Sequence, residues 1–302
     1  MATIELTPLG PFSLAAAQDF AGGFPAGIGG GGVGPGSITL AFAVEGLDTS
    51  AAIELWQDAD GVVRGRSDAA EDVLVVGLRQ AARSLSLDHD GSGWPAVGER
   101  DAIVGRFQRE HGYLRPVCFY SAYEAVTSFV IGQRISRRQS AVIKRDLAER
   151  LGDRPTIAGV EVPAFPRPAR LLELREARGL NDEKVRRLHG LAQAALDGRL
   201  DTEALRAMAP EAALAALREL HGVGPFTADA VLYRGCGVAD GIPASDELGQ
   251  TVIRDLYGME TVTPADVERI SDAWRPYRMW AVVLLRMGWT RGQGSKVSYR
   301  RG

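Results

Sequence analysis

Residues 217–248 read LRELHGVGPFTADAVLYRGCGVADGIPASDEL, and the reading of this stretch decides the fold. A run with helical spacing leads into it, with Ala212, Leu214, Ala215, Leu217 and Leu220 as its apolar positions. Gly222-Val223-Gly224 then makes a tight turn bridged by one apolar side chain. Pro225 suits the first position of a new helix, where its missing N–H costs no hydrogen bond. That helix is expected over residues 226–233, ending at Gly235. Two helices joined by a Gly-x-Gly turn form a hairpin whose turn amides point outward. Such amides, beside the positive end of a helix dipole, attract phosphate. Asp246 follows Pro243 and Ser245 at the expected start of a further helix.

Outward from this hairpin the chain reads as almost entirely helical. Upstream, residues 129–136 spell FVIGQRIS: an apolar helix expected over residues 121–131 closes at Gly132, and Gln133, Arg134, Ile135 and Ser136 follow. A basic amphipathic helix is expected over residues 137–151. Residues 156–168 hold three prolines and read as loop. Further helices are expected over residues 100–111, 169–178, 181–196 (with Asn181 as its cap) and 201–208. Residues 263–274 and 277–289 close the bundle, the last containing much of WRPYRMWAVVLLR.

Residues 1–98 read differently, as a small α+β domain before a helical domain over residues 99–302. Strands are expected at residues 3–7, 37–44, 51–57 and 62–66, the last two flanking the turn Asp58-Ala59-Asp60-Gly61. Short helices fit residues 12–20 and 70–84. Residues 24–36 are glycine-rich and read as a surface loop, and residues 88–95 as a linker.

Composition narrows the function. No apolar run is long enough to cross a membrane, and residues 1–10 lack the form of a secretory signal. Cys118 and Cys236 are too few for a disulfide framework or a four-cysteine cluster, so two buried thiols in a reducing cytoplasm are expected. His89, His111, His189 and His221 stand apart from any ligand spacing, and no metal is expected. Net charge is -3, yet it is unevenly spread. Residues 1–100 hold 5 Arg and 13 Asp or Glu, while the remainder holds 30 Lys or Arg and 25 acids. The positive charge gathers at Arg134, Arg137, Arg138, Lys144 and Arg145, at Lys184, Arg186 and Arg187, and in the tail from Arg291 onward.

LHGVGPFTADAVLYRGCG (residues 220–237), IPASDEL (242–248), FVIGQRIS and the final WRPYRMWAVVLLR together resemble the helix-hairpin-helix DNA glycosylases, specifically the 3-methyladenine DNA glycosylase II family. The resemblance covers roughly residues 115–289. It implies a mostly α, two-lobed helical fold preceded by a small α+β (TBP-like) N-terminal domain. It also implies a bacterial nucleoid location and damaged double-stranded DNA as partner of a monomer, without a membrane. A monovalent cation held by hairpin carbonyls is implied in the same way.

The resemblance also assigns roles. Asp246 becomes the catalytic carboxylate, which stabilises the positive charge that builds on the sugar as a base leaves and orients or deprotonates water. Read from position alone, Asp246 would be a helix cap, and it is the family motif that reverses this. Phe226 stands where bifunctional relatives carry a lysine nucleophile, and with Leu248, Trp280 and Arg286 it would line the base pocket. Gln133, Arg134, Ile135, Ser136, His221, Gly222, Val223, Gly224 and Thr227 would face DNA, with Arg134 or Ile135 wedged where the target base was. Two positions depart from the family: Arg286 replaces a pocket tryptophan, and Ala230 a pocket tyrosine. An arginine in the wall would repel cationic alkylated bases, unless it pairs elsewhere, for example with Asp229 or Glu124. The rival reading is a non-catalytic hairpin protein that only grips phosphates.

Overall fold

The computed structural model describes residues 2–21, 36–243 and 246–292. The glycine-rich loop expected over residues 24–36 and the basic tail beyond residue 292 fall outside them, Gly36 excepted. Six elements form the N-terminal α+β unit: β1 (Ala2–Leu6), α1 (Leu14–Ala21), β2 (Ser37–Ala43), β3 (Ser50–Gln57), β4 (Val63–Ser67) and α2 (Glu71–Ser84). The sheet is antiparallel in the order β1-β4-β3-β2. Its expected hairpin is closed by the Asp58 N–H on Val62 O and the Gly61 N–H on Asp58 O, both 3.0 Å. Ser37 to Phe42 are all buried, because β2 is covered on both faces. Ile38, Leu40 and Phe42 pack with Leu74 and Ala81 of α2. Ala41 and Ala52 meet Ile157, Val162 and Ala164 on the other side.

Those last residues come from the segment read as loop. It contains a minimal hairpin, β5 (Thr156–Ile157) with β6 (Val160–Glu161). Ala158 and Gly159 both take positive φ at its tip, as the twist of a two-residue hairpin requires. Three apolar residues docking on the sheet outweigh the breaking tendency of the nearby prolines.

The helical body comprises α3 (Trp94–Arg100), α4 (Ala102–Glu110), α5 (Ala122–Gly132), α6 (Arg137–Leu151), α7 (Pro168–Leu171), α8 (Asp182–Leu196), α9 (Thr202–Ala207), α10 (Pro210–Arg218), α11 (Pro225–Ala230), α12 (Glu247–Leu256), α13 (Pro264–Ser271) and α14 (Arg278–Gly292). Three expectations change here. The linker over residues 88–95 ends early, since Trp94 is fully buried, starts α3 with Pro95, and meets Tyr277 and Trp280 edge-on. The single helix over residues 100–111 is broken at Asp101, whose carboxylate caps α4. The helix over residues 169–178 shrinks to α7. Beyond it Glu173 and Leu174 donate three residues back, and Leu171, Leu174 and Ala177 are buried by tight turns.

At the centre lies α5, buried at every position but Phe129 and Gly132. Its Glu124 faces Lys144 of α6 at 3.8 Å, and the ammonium sits over the rings of Phe119 and Phe165. Lys144 therefore leaves the basic surface cluster and joins the interior. Burial pushes Glu124 up to about 7 and pushes Lys144 down, while their mutual attraction opposes both shifts.

Asp101 joins three separate segments. Its Oδ1 accepts from the Ile103 and Val104 amides at 3.0 and 3.2 Å, and its Oδ2 from Trp274 Nε1 at 2.8 Å and from the Tyr257 hydroxyl. Trp274 is fully buried, so its N–H has no route to water. Asp101→Ala is expected to destabilise the fold by about 2–4 kcal/mol, a lost cap plus an orphaned buried donor. Urea melts of the two proteins measure this. A loss no larger than that of an exposed cap would show that the Trp274 bond contributes nothing.

Candidate active site and nucleic-acid interface

The hairpin forms as its glycines dictate. After α10 the Leu220 N–H bonds Leu217 O and the Val223 N–H bonds Leu220 O, while Gly222 turns the chain at φ +87°. Val223 plugs the turn into the core, and Gly224 opens α11, with Pro225 next. Among the described residues neither the Gly222 nor the Gly224 amide donates to the protein. A Cβ added at Gly224 would meet no atom within 4 Å, whereas one at Gly222 would come within 2.7 Å of the Arg187 side chain. Leu220 O and Gly222 O each accept one hydrogen bond, so each keeps a lone pair for the monovalent cation the resemblance implies.

The helix expected over residues 226–233 is not uniform. It is α-helical to Ala230 and then widens into a π-helical turn, Val231–Gly235, where the Cys236 N–H reaches Val231 O at 2.8 Å. The widened turn sits directly on α5, since a Cβ on Gly235 would stand 2.7 Å from the Ala125 Cβ. Thr227 is buried, 6% exposed. His221 remains exposed, with Nε2 3.2 Å from Glu183 Oε1.

A second turn stands beside the first. Gln133 has φ -56° and ψ 125°, Arg134 has φ +58°, and the Ile135 N–H reaches Gly132 O at 3.3 Å. This is a type II turn with arginine where glycine is usual. The left-handed backbone costs a non-glycine residue about 1–2 kcal/mol, and it presents Arg134 to solvent. Ile135 packs against the core instead, and Ser136 is occupied in a capping box with Gln139 at the start of α6. Gln133 ties the two turns together. Its Nε2 donates to Gly222 O at 3.0 Å, and its Oε1 accepts from Arg187 Nη1 at 3.1 Å. Lys184 adds bonds to Ile131 O at 2.8 Å and Gln133 O at 2.7 Å. Their sequence marks Lys184 and Arg187 as basic and Asn181 as a cap. That α8 lies across both turns is a tertiary fact with no local signal.

Asp246 lies at the N-terminus of α12, yet its side chain makes no capping bond. Its Oδ2 accepts instead from Arg286 Nη1 at 2.8 Å. The Asp246 side chain is 6% exposed and that of Arg286 30%. Gly249 leaves room for the carboxylate, since a Cβ there would stand 2.9 Å from Asp246 Oδ2. Sequence reading missed Gly249, which no motif distinguishes. Glu124 and Asp229 were the alternative partners for Arg286. Glu124 faces Lys144, and Asp229 is buried within α11. Phe226 is 51% exposed and meets Phe129 of α5 edge-on, so it is not a core residue. Leu248 is partly buried against the main core. Trp280 is corrected: it is interior, packed between Trp94 and Tyr277 beneath the Arg115 guanidinium, and lines no open wall.

The chain is 30% identical over 200 residues to DNA-3-methyladenine glycosylase 2 of Escherichia coli (strain K12), a match covering 64% of this chain and 66% of that protein. It is 26% identical over 207 residues to DNA-3-methyladenine glycosylase of Bacillus subtilis (strain 168), covering 67% of this chain and 68% of the relative. The chain thus spans about two thirds of the length of these relatives. No family model matches the sequence. In fold it is similar to the 3-methyladenine DNA-glycosylase from Archaeoglobus fulgidus, with a TM-score of 0.75 and 21% identity over 98% of this chain and 100% of that one. Hairpin, aspartate and relatives lead to one conclusion: the chain belongs to the helix-hairpin-helix DNA glycosylase superfamily.

Proposed function

We propose that this protein is a monofunctional DNA glycosylase of base excision repair, which hydrolyses the N-glycosidic bond of a flipped damaged base and leaves an abasic site. The observation that carries this reading is the Asp246 carboxylate. It is buried at a helix start without capping it, and its partner is a cation from α14. A protein that only gripped phosphates would gain nothing from a carboxylate placed there.

On this reading the free amides of Gly222 and Gly224 take a backbone phosphate of the damaged strand, assisted by the positive end of α11. A monovalent cation on the hairpin carbonyls would add positive charge toward that phosphate. Arg134 enters the gap in the stack, and the extruded base lies against Phe226. Extrusion costs a few kcal/mol and least for damaged pairs, which supplies part of the selectivity. Asp246 opposes the positive charge growing on the sugar as the base departs and directs a water to it. Arg286 shares the Asp246 carboxylate, and its remaining N–H donors face the base. A neutral base with acceptor atoms is thereby favoured over a cationic one, although the named relatives are 3-methyladenine glycosylases. On this reading the protein acts as a monomer.

Asp246→Asn is expected to leave duplex binding near normal and to lower base release by about 10²–10⁴, the span for one catalytic group of this kind. Single-turnover release from a lesion duplex, followed by alkali, measures it; full activity of the variant would end the mechanism. Affinity for duplex should fall with salt, at a log–log slope of roughly -0.9 per phosphate contact. Because a Cβ at the exposed position 224 would meet no protein atom, Gly224→Val should melt like the parent and still fail to bind. Normal binding by that variant would remove the hairpin from the interface.

Phenylalanine at position 226 cannot form an imine, so borohydride should trap no covalent complex, and strand breaks should need alkali or heat. Hypoxanthine should be released faster than 3-methyladenine. Arg286→Trp should shift preference toward the cationic base by roughly two- to thirtyfold, since a cation–π contact is worth about 0.5–2 kcal/mol. A native preference for 3-methyladenine would show that the arginine does not screen the base.

A further inference from the structure

We propose that Lys184 is the positioning residue that holds the Gly132–Ile135 turn in its type II form and so forces Arg134 outward; its role in lesion recognition rests on the glycosylase reading. Type I and type II turns differ by a half-rotation of their central peptide. Here that peptide joins Gln133 to Arg134, and its oxygen is Gln133 O, the atom that Lys184 Nζ holds at 2.7 Å. Turning the peptide over would carry ψ of Gln133 from 125° to about -30° and φ of Arg134 from +58° to about -90°, the ordinary choice for arginine. It would also draw the oxygen away from the ammonium.

The second acceptor of Lys184, Ile131 O at 2.8 Å, belongs to the last turn of α5, whose carbonyls lack helical partners. The ammonium is thus clamped between the end of the helix and the turn. Nothing in the turn's own sequence favours type II, because arginine at the third position opposes it. The bond that selects this form comes from α8, some fifty residues away in sequence. Gln133 then connects the same turn to Gly222, so the side chain that enters the gap and the turn that grips phosphate keep one spacing.

Two measurements test the proposal. In free protein labelled at arginine, the Cα and Cβ chemical shifts of residue 134 report the sign of φ. Lys184→Met, which keeps the chain length and loses the donors, should move them from left-handed toward right-handed values, and Lys184→Arg should keep them. Unchanged shifts in Lys184→Met overturn the lock whether or not the protein excises bases. The second readout is the ratio of affinities for a duplex holding a tetrahydrofuran abasic analogue and for the intact duplex. Lys184→Met should lower that ratio by about 5–30-fold, the population equivalent of the left-handed backbone cost. In an Arg134→Gly background, where glycine takes the positive φ unaided, Lys184→Met should add no further loss. Equal weakening of both duplexes with shifts intact would make Lys184 a phosphate contact and refute the proposal.

Discussion

Gly235 lets the second half of the hairpin lie on α5 with no side chain between them, and Ala122 and Ala125 are the small residues that receive it. This close approach fixes the distance between two backbones that are about a hundred residues apart in sequence. Because α5 is buried nearly all round, it cannot shift without disturbing the whole interior. Its C-terminal turn is therefore delivered to one place beside the hairpin. The Gln133 amide then needs only to span 3.0 Å to Gly222 O to join them. The π-helical widening at Val231–Gly235 belongs to the same contact, where the chain leaves regular helix geometry as it crosses α5.

The carboxylate and its arginine follow a different logic. Asp246 comes from the start of α12 and Arg286 from the middle of α14, two helices that pack side by side. A buried carboxylate is costly to leave alone, and a single charge-assisted hydrogen bond compensates it. The arginine keeps enough exposure to meet an incoming group. On the proposed reading of the pocket, a guanidinium in place of an aromatic wall exchanges a surface that attracts cations for a donor that selects acceptors.

Local chemistry announced itself wherever one residue type suffices. The Gly-Val-Gly turn, the Asp-Ala-Asp-Gly hairpin and the cap at Asn181 all form as their residues dictate. Readings failed where burial decides. Trp94 looked like linker because glycine and serine surround it, yet one large ring docked on Trp280 outweighs that tendency. Trp280 itself was drawn toward the pocket by its place in the last helix, and its neighbours hold it inside. The pairing of Asp246 with Arg286 joins residues forty apart, and the weight of Lys184 lies in which carbonyl it meets. No pattern along the chain encodes either contact.

The buried pair of Glu124 and Lys144 has a consequence for how this sequence can change. Removing either partner alone strands a charge in the interior of α5 and α6, a loss of about 3–5 kcal/mol, while exchanging both for apolar residues of similar volume is often neutral. Two tolerable sequences are thus separated by intolerable intermediates. Descendants can cross only by a double change or after gaining spare stability elsewhere. The two positions are bound as one heritable unit, although neither touches the chemistry, and a redesign of the α5–α6 contact has to treat them as a single letter.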